Sequence, residues 1–367
     1  MKKILVCGGH PTPALAVIDE FKKENKERDI VFVGRKYAIE TERTLSFEYK
    51  ACQDRSIRFL ELQAGRITRV LSKSSLLNFI RVPLGFLQAL KILLREEADV
   101  ILSFGGYLAL PIAFWGWVMR KKVITHEQTM RPGRANKIIG NFSQKIFVAF
   151  EETLQYFPKG KTQWIGNPVR EVVFKKGKLP FELPLELPVV YITGGSLGSH
   201  SINEHIFTIL PRLLTFCSVI HQTGDVKEYG DYDVARKLQK TISKDVKGAY
   251  VPLKHVSDSE IGAVYNVASC VVARSGANTF FELVALKKPA ILIPLPWSAN
   301  GEQKAHAHFF VTHDIGKLFD QKLPSNELYL FIKDMVASLD SYKHNFSALP
   351  LELKHDAAQT IVAESLR

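Results

Sequence analysis

The chain has 367 residues, 46% of them hydrophobic, with 49 Lys and Arg against 37 Asp and Glu, a net charge of +12. Its length suits two domains, each large enough for its own core, and its composition is that of an ordinary globular protein. Cys7, Cys52, Cys217 and Cys270 are far apart and form no CxxC pair, which excludes a zinc site or disulfide framework and fits a reducing cytoplasm.

The start, Met1-Lys2-Lys3 and then Ile4 to Cys7, reads as a buried strand. It is too short for a signal peptide because Gly8-Gly9-His10 interrupts it at once. A helix is expected over 13–24 and a second strand over 30–34. Glycine lets the chain turn sharply at a strand end, and the helix that follows aims unpaired N–H groups and its positive dipole end at that corner. Such a corner accepts a phosphate or diphosphate. His10, at the helix mouth, either caps the turn or serves as a base or phosphate donor. The full GxGxxG spacing of a dinucleotide fingerprint is missing.

Residues 66–95 mix Arg66, Arg69, Lys73, Arg81, Lys91 and Arg95 with large apolar side chains. They read either as core or as a basic amphipathic segment that lies on an anionic membrane. Residues 100–119 carry no charge over a length that could span a bilayer. Gly105-Gly106 and Pro111 divide them instead into a strand, a glycine corner before Tyr107, and a helix with proline in its first turn. Trp115 and Trp117 then precede Arg120-Lys121-Lys122.

Strands at 123–125 and 145–149 follow. The first runs into His126-Glu127-Gln128-Thr129, four hydrogen-bonding side chains that suit a cleft wall. Gly166-Asn167-Pro168-Val169-Arg170 precedes a proline-rich linker at 171–188, and an arginine there can reach a phosphate or a base. At Val189 the pattern restarts: strand 189–193 enters Gly194-Gly195-Ser196-Leu197-Gly198, and strands at 218–221, 270–273 and 290–293 follow. Ser275 reads as the N-cap of the helix in Arg274-Ser275-Gly276-Ala277-Asn278-Thr279-Phe280-Phe281-Glu282. Glu282, one turn after Asn278, is either a surface glutamate or a carboxylate whose two oxygens suit the paired hydroxyls of a ribose. A proline-stiffened loop from Pro294 ends at Gln303, whose amide suits sugar hydroxyls. A last helix is expected over about 353–367, after Pro350.

The alternation of strands and helices predicts parallel sheets covered on both faces. The fold class is therefore α/β, with two Rossmann-like halves facing each other. Ligands in such sheets bind beyond the carboxyl ends of the strands. Three glycine corners in two halves predict a cleft around a phosphorylated ligand.

In chain order the motifs GGH-x-x-PALA, GGY, HEQ, GNPVR, GGSxG, HQxG (from His221), RSGAxTxxE and a proline loop ending in Gln span residues 7–303. This series resembles the MurG family of glycosyltransferases, which add N-acetylglucosamine to the lipid-linked precursor of peptidoglycan. The resemblance implies a GT-B fold. Residues 1–167, with a terminal helix at about 350–367, would form an acceptor and membrane domain, and 168–349 a UDP-sugar domain. It implies His10 as the catalytic base. On the donor side it implies Cys7, Gly8, Gly9, Thr129, Arg170, Ser196, Ala277, Asn278, Thr279, Phe280, Phe281, Glu282 and Gln303. On the acceptor side it implies Gly105, Gly106, Tyr107 and Glu127.

The implied reaction is inverting transfer from UDP-N-acetylglucosamine to the C4 hydroxyl of a muramoyl sugar. It implies no cofactor, no metal and no nucleic acid, but a polyprenyl-diphosphate lipid acceptor at the cytoplasmic face of the membrane. Four features depart from the family pattern: the first two glycines of its GGTGGH loop are absent, with Leu5-Val6 before Cys7, Cys7 replaces threonine, Thr129 replaces the asparagine after HEQ, and Asn300-Gly301-Glu302 replaces Asp-Asp-His. The uracil pocket, expected near 250–256, has no assigned residues. Two other readings remain at this point: a UDP-sugar transferase with another lipid-linked acceptor, and a sugar-nucleotide epimerase on the same halves. A third is a non-catalytic membrane partner.

Overall fold

The computed structural model describes residues 2–24, 29–39, 44–63, 73–242, 246–298, 301–349 and 356–367. Residues 66–72 of the basic segment, Asn300 and Pro350 lie outside them. The chain divides into two compact units, residues 1–170 with 353–367, and residues 171–352.

Unit 1 runs β1 (Ile4–Cys7), α1 (Pro11–Lys23), β2 (Ile30–Gly34), β3 (Tyr37–Ile39), β4 (Thr44–Leu45), α2 (Phe47–Asp54), β5 (Arg58–Glu61) and α3 (Lys73–Glu96). It continues with β6 (Val100–Ser103), α4 (Ala109–Val118), β7 (Lys122–Glu127), α5 (Arg134–Phe142), β8 (Lys145–Val148) and β9 (Thr162–Trp164). Seven strands form a parallel sheet in the order β5-β2-β1-β6-β7-β8-β9, and β3 pairs with β4 in an antiparallel hairpin. β1 lies in the middle and is buried at every position. Its side chains alternate between two cores, as a strand covered on both faces requires. Ile4 and Val6 pack with α1 and the chain-terminal helix, while Leu5 and Cys7 pack with Leu93, Ile112 and Ile139 of α3, α4 and α5.

Unit 2 runs β10 (Val189–Thr193), α6 (His200–Leu213), β11 (Ser218–Gln222), α7 (Asp231–Thr241), β12 (Tyr250–Leu253), α8 (Ile261–Val267) and β13 (Cys270–Ala273). Then come α9 (Ala277–Ala285), β14 (Ala290–Leu292), α10 (Glu302–Thr312), β15 (Gly316–Leu318), α11 (Ser325–Ala337) and α12 (Leu339–Asn345). Its six-stranded sheet has the order β12-β11-β10-β13-β14-β15 and is parallel throughout. The chain then returns to unit 1 as α13 (Ala357–Leu366), which buries Ala357, Ile361 and Val362 in the α1 core. Lys2 and Lys122 donate to the carbonyls of Leu366 and Glu364 at its end, a cationic cap on the negative pole of the helix.

The uncharged run at 100–119 is strand β6, a glycine corner, and α4 with Pro111 in its first turn. Among the described residues no helix is long and apolar enough to cross a membrane.

Candidate functional site

Both sheets carry their glycine corners at the carboxyl ends of central strands. In unit 1 the corners after β1 and β6 interlock. Gly9 donates its N–H to the carbonyl of Gly105 at 2.9 Å, and Phe104 donates to Cys7 at 2.7 Å. Gly8, at φ +146, leaves no room for a side chain: a Cβ there would lie 2.8 Å from the Phe104 carbonyl carbon. Gly105 and Gly106 also have positive φ, and a Cβ on Gly105 would fall on the side chain of Asn136. Tyr107 is half-buried against the α4 core.

His10 stands at the N-cap of α1, but its side chain makes no capping bond. The capping reading therefore fails. The ring is half-buried, and the atoms packed round it push its pKa down to about 4, so it is neutral at pH 7.

Cys7, expected beside the donor, is a correction. Its thiol is wholly buried in the core beside Leu5, and burial drives its pKa far up. Only its backbone belongs to the corner.

Glu127, expected to touch the acceptor, is also corrected. It is 1% exposed and both its oxygens are engaged. Oε1 accepts from the Thr129 N–H at 2.9 Å and the Thr129 hydroxyl at 2.8 Å, and Oε2 accepts from Asn136 Nδ2 at 2.7 Å. Burial raises its pKa, and the bonds from Thr129, Asn136 and the Gly133 N–H oppose that rise. Glu127 thus braces the loop between β7 and α5, and Thr129 is held with it rather than free for a sugar. Arg170 is buried, with its guanidinium over the Phe47 ring at 5.8 Å.

His126, which the sequence places in a cleft wall without a catalytic or binding role, is held by its ring nitrogen. Its Nε2 lies 3.1 Å from the Gly166 carbonyl and donates to it, while its buried Nδ1 has no partner. Its ring sits 6.0 Å from that of Phe104. Burial is the main cause that lowers its pKa to about 4.

In unit 2 the corner after β10 packs on the one after β11. Gly198 and Gly224 have φ of +76 and +83, and a Cβ on either would fall on the other loop's backbone. Ser196 stands exposed at the tip of its loop. Gln222 ties the two corners to the sheet: its Nε2 donates to the Gly195 carbonyl at 2.9 Å, and its Oε1 accepts from the Tyr191 hydroxyl at 2.8 Å. Below them Asn203, His221, Tyr250 and Asp231 form a buried network. Desolvation lowers the His221 pKa to about 3.

The third corner starts α9. Gly276, not Ser275, is the N-cap, and no side chain caps the helix. Ser275 instead donates its hydroxyl to the Gln303 carbonyl at 2.8 Å. The first-turn N–H groups of Ala277, Asn278 and Thr279 therefore stay open for an anion, with the helix dipole behind them. Phe280 and Phe281, expected on the donor, are 1% and 3% exposed, so their side chains build the core instead. Arg274 is engaged too: it donates to Ser199 Oγ and Ser201 Oγ, both at 2.7 Å, and to the Ile293 carbonyl at 3.1 Å, stapling three strand ends together. Burial lowers its pKa to about 10.

Glu282 is 5% exposed, and its Oε2 accepts from the Tyr265 hydroxyl at 3.1 Å. Gln303 Oε1 accepts from the Leu295 N–H at 3.0 Å, which pins the proline loop and turns the amide Nε2 to other partners. Among the described residues, no group of three His, Cys, Asp or Glu converges as metal ligands.

Comparison with known proteins matches residues 6–148 to the glycosyltransferase family 28 N-terminal domain and residues 189–361 to the C-terminal domain of that family. The chain is 32% identical, over 99% of its length and 98% of the relative's, to a Bacillus cereus UDP-N-acetylglucosamine–N-acetylmuramyl-(pentapeptide) pyrophosphoryl-undecaprenol N-acetylglucosamine transferase. A Clostridium tetani transferase of the same name is 30% identical over 90% of this chain and 88% of its own. The fold is similar to that of Acinetobacter baumannii MurG, with a TM-score of 0.69 at 20% identity, covering 100% of this chain and 99% of that one.

Proposed function

The chain belongs to glycosyltransferase family 28, and from that premise we propose that it moves N-acetylglucosamine from UDP-N-acetylglucosamine to the C4 hydroxyl of a muramoyl-pentapeptide carried on a polyprenyl diphosphate. The observation that carries this reading is the uncapped start of α9, with Glu282 rather more than a turn further along the same helix. The diphosphate of UDP takes the open N–H groups of Ala277, Asn278 and Thr279, and Glu282 takes the ribose hydroxyls. Ser196 and the Gln303 amide border the phosphate and the sugar.

In the reaction the acceptor hydroxyl attacks the anomeric carbon from the face opposite the diphosphate. Its proton passes to the free nitrogen of His10. The bond from the anomeric carbon to the phosphate oxygen breaks, and its electron pair leaves with UDP. His10 is neutral at pH 7 and so can accept that proton. The dipole of α9 favours the charge gathering on the leaving diphosphate. Gly105 and Gly106 offer backbone to the acceptor diphosphate, with Tyr107 beside them.

The lipid acceptor requires contact with a membrane, and unit 1 offers a surface for it. Leu84, Leu87 and Leu94 of α3 are 55%, 55% and 58% exposed, and Trp117 of α4 is 48% exposed. The leucine spacing puts them on one helix face, and Lys91 and Arg95 of the same helix are exposed. With a net charge of +12 this supports peripheral attachment to an anionic, cytoplasmic leaflet.

The test is turnover of radiolabelled UDP-N-acetylglucosamine with a muramoyl-pentapeptide lipid. Label transferred to the lipid supports the reading. Transfer only to a different lipid-linked glycan, or release of an epimerised sugar without acceptor, overturns it.

A further inference from the structure

We propose that His126 is a positioning residue for the base, accepting a hydrogen bond from His10 on its Nδ1 and so aiming the other His10 nitrogen at the acceptor hydroxyl. The inference rests on the reading of His10 as the base.

Three observations carry it. The first is the tautomer. A carbonyl can only accept, so the 3.1 Å contact to Gly166 puts the His126 proton on Nε2 and leaves a lone pair on Nδ1. The second is an unmet bond. That Nδ1 is buried without a partner, in a side chain that is 3% exposed, and a buried acceptor left unpaired costs about 1–3 kcal/mol. Such an atom is open to a donor, and because no bond joins the two rings in this structure, the His10 ring must turn toward it to make one. The third is a shared wall. His126 lies against the ring of Phe104, and the Gly8 corner that delivers His10 is packed on the Phe104 and Gly105 backbone. The two imidazoles also sense each other, since charge on His10 depresses the His126 pKa.

A neutral imidazole has one N–H and one lone pair. If the His10 N–H points at His126, its lone pair points away, toward substrate. When His10 takes the acceptor proton it becomes a cation, and the bond to His126 strengthens because its donor is now charged. No proton leaves His10 on that side. The Gly166 carbonyl, His126 and His10 then form an oriented chain, in which a base is held by a third group. Gly166, at φ +80, is the glycine of the GNPVR motif, which gives that motif a role in unit 1.

Two substitutions separate positioning from packing. His126→Asn places an amide where Nδ1 was and keeps an acceptor for His10. His126→Gln places its amide where Nε2 was, keeping the Gly166 bond but removing the acceptor. Both variants are first checked for a parent-like thermal unfolding transition. The expected result is a kcat reduced by about 100-fold in His126→Gln with the KM for UDP-N-acetylglucosamine unchanged, and an Asn variant within about tenfold of the parent. In the unsubstituted protein, nitrogen NMR of labelled histidine should find His126 protonated on Nε2 and bare on Nδ1 at pH 7.

A His126→Gln enzyme with parent kcat, equal losses in both variants, or an Nδ1–H tautomer overturns the inference. In each of those cases an inactive His10→Ala leaves the base assignment standing. A fully active His10→Ala overturns both. If neither variant folds, the tautomer measurement decides alone.

Discussion

Tyr265 holds Glu282: its hydroxyl donates to Oε2 at 3.1 Å, and its ring stands edge-on to that of Tyr191 with centroids 5.7 Å apart. Tyr191 in turn bonds Gln222, which holds the Gly195 carbonyl. The carboxylate proposed for the ribose is thus linked, through two tyrosines and a glutamine, to the glycine corner after β10.

Glu282→Ala should raise the KM for UDP-N-acetylglucosamine by about 10- to 100-fold, since two hydrogen bonds to a charged group are worth about 1.5–3 kcal/mol each and part is recovered from water. Tyr265→Phe leaves the carboxylate but frees its orientation, so its effect should be smaller. Initial-rate kinetics at saturating acceptor check both. An unchanged KM in Glu282→Ala removes the ribose assignment.

The glycines at the β10 corner should differ sharply in tolerance. A Cβ on Gly198 would fall on the Thr223 carbonyl, so Gly198→Ala must push two loops apart as well as strain its φ of +76. Gly195 has φ +92 but nothing within 4 Å of its Cβ position. Gly198→Ala should lower the melting temperature by about 10 °C and weaken UDP binding, whereas Gly195→Ala pays only left-handed strain of about 1–2 kcal/mol. Calorimetry of the two variants side by side decides, and equal shifts would mean that the corners do not interlock.

The strand-to-glycine corners were legible in the sequence because glycine is the one residue that fits both a positive φ and a close approach. Gly8, Gly105 and Gly198 combine the two. The inner strands were legible as short apolar runs. The outer strands were not. β5, Arg58-Phe59-Leu60-Glu61, has charges at both ends, and β9 and β15 have three residues each, so none makes an apolar run. Side-chain direction was the other loss. In a strand covered on both faces every residue is apolar, so the run marks Cys7 as a buried thiol, and its place beside the donor came only from the family resemblance. Phe280 and Phe281 sit in a helix signature whose binding groups are backbone N–H. His126 was hidden because its assignment depends on a carbonyl 40 positions away.

Acid should destabilise this protein at pH values where most carboxylates are still charged. His10, His126 and His306 have pKa values lowered to about 4 and His221 to about 3, all chiefly by burial. Unfolding restores an ordinary pKa near 6.5, so the unfolded chain binds more protons between about pH 6.5 and 4. Stability is therefore full above that window and falls as pH drops through it, by about 1.4 kcal/mol per pH unit for each fully buried histidine. His221→Gln should be less stable at pH 7.5, because it breaks the bonds to Asn203 and Tyr250, yet lose less on going to pH 4.5. Denaturant titrations at four pH values test this, and parallel curves for parent and variant would refute it.

The same depression of His10 sets the shape of the rate profile. A base with pKa about 4 stays unprotonated well below neutrality. The acid limb of kcat/KM should therefore fall near pH 4 to 5 and not at 6.5, and unfolding measured at the same pH values separates loss of the base from loss of the fold. His10→Ala should lower kcat by about 10²- to 10⁴-fold with the donor KM little changed, and it should abolish that limb. A limb at 6.5 in the parent would mean that another histidine, or a more solvated one, takes the proton.

Membrane attachment should depend on three leucines that the fold itself does not need. Leu84, Leu87 and Leu94 are each more than half exposed, so replacing all three with serine should leave the melting temperature of unit 1 within about 2 °C. On a bilayer each leucine transfers roughly half its side chain from water, worth about 1 kcal/mol. Together they contribute about 3 kcal/mol, or about 100-fold in partitioning onto phosphatidylglycerol vesicles. Sedimentation with such vesicles should therefore lose most of the bound protein in the triple variant, while turnover of a short-chain, water-soluble acceptor stays at the parent level. Raising salt should weaken the parent's attachment further, because Lys91 and Arg95 act through the lipid charge. A triple variant that still sediments fully would move the attachment surface elsewhere on the chain.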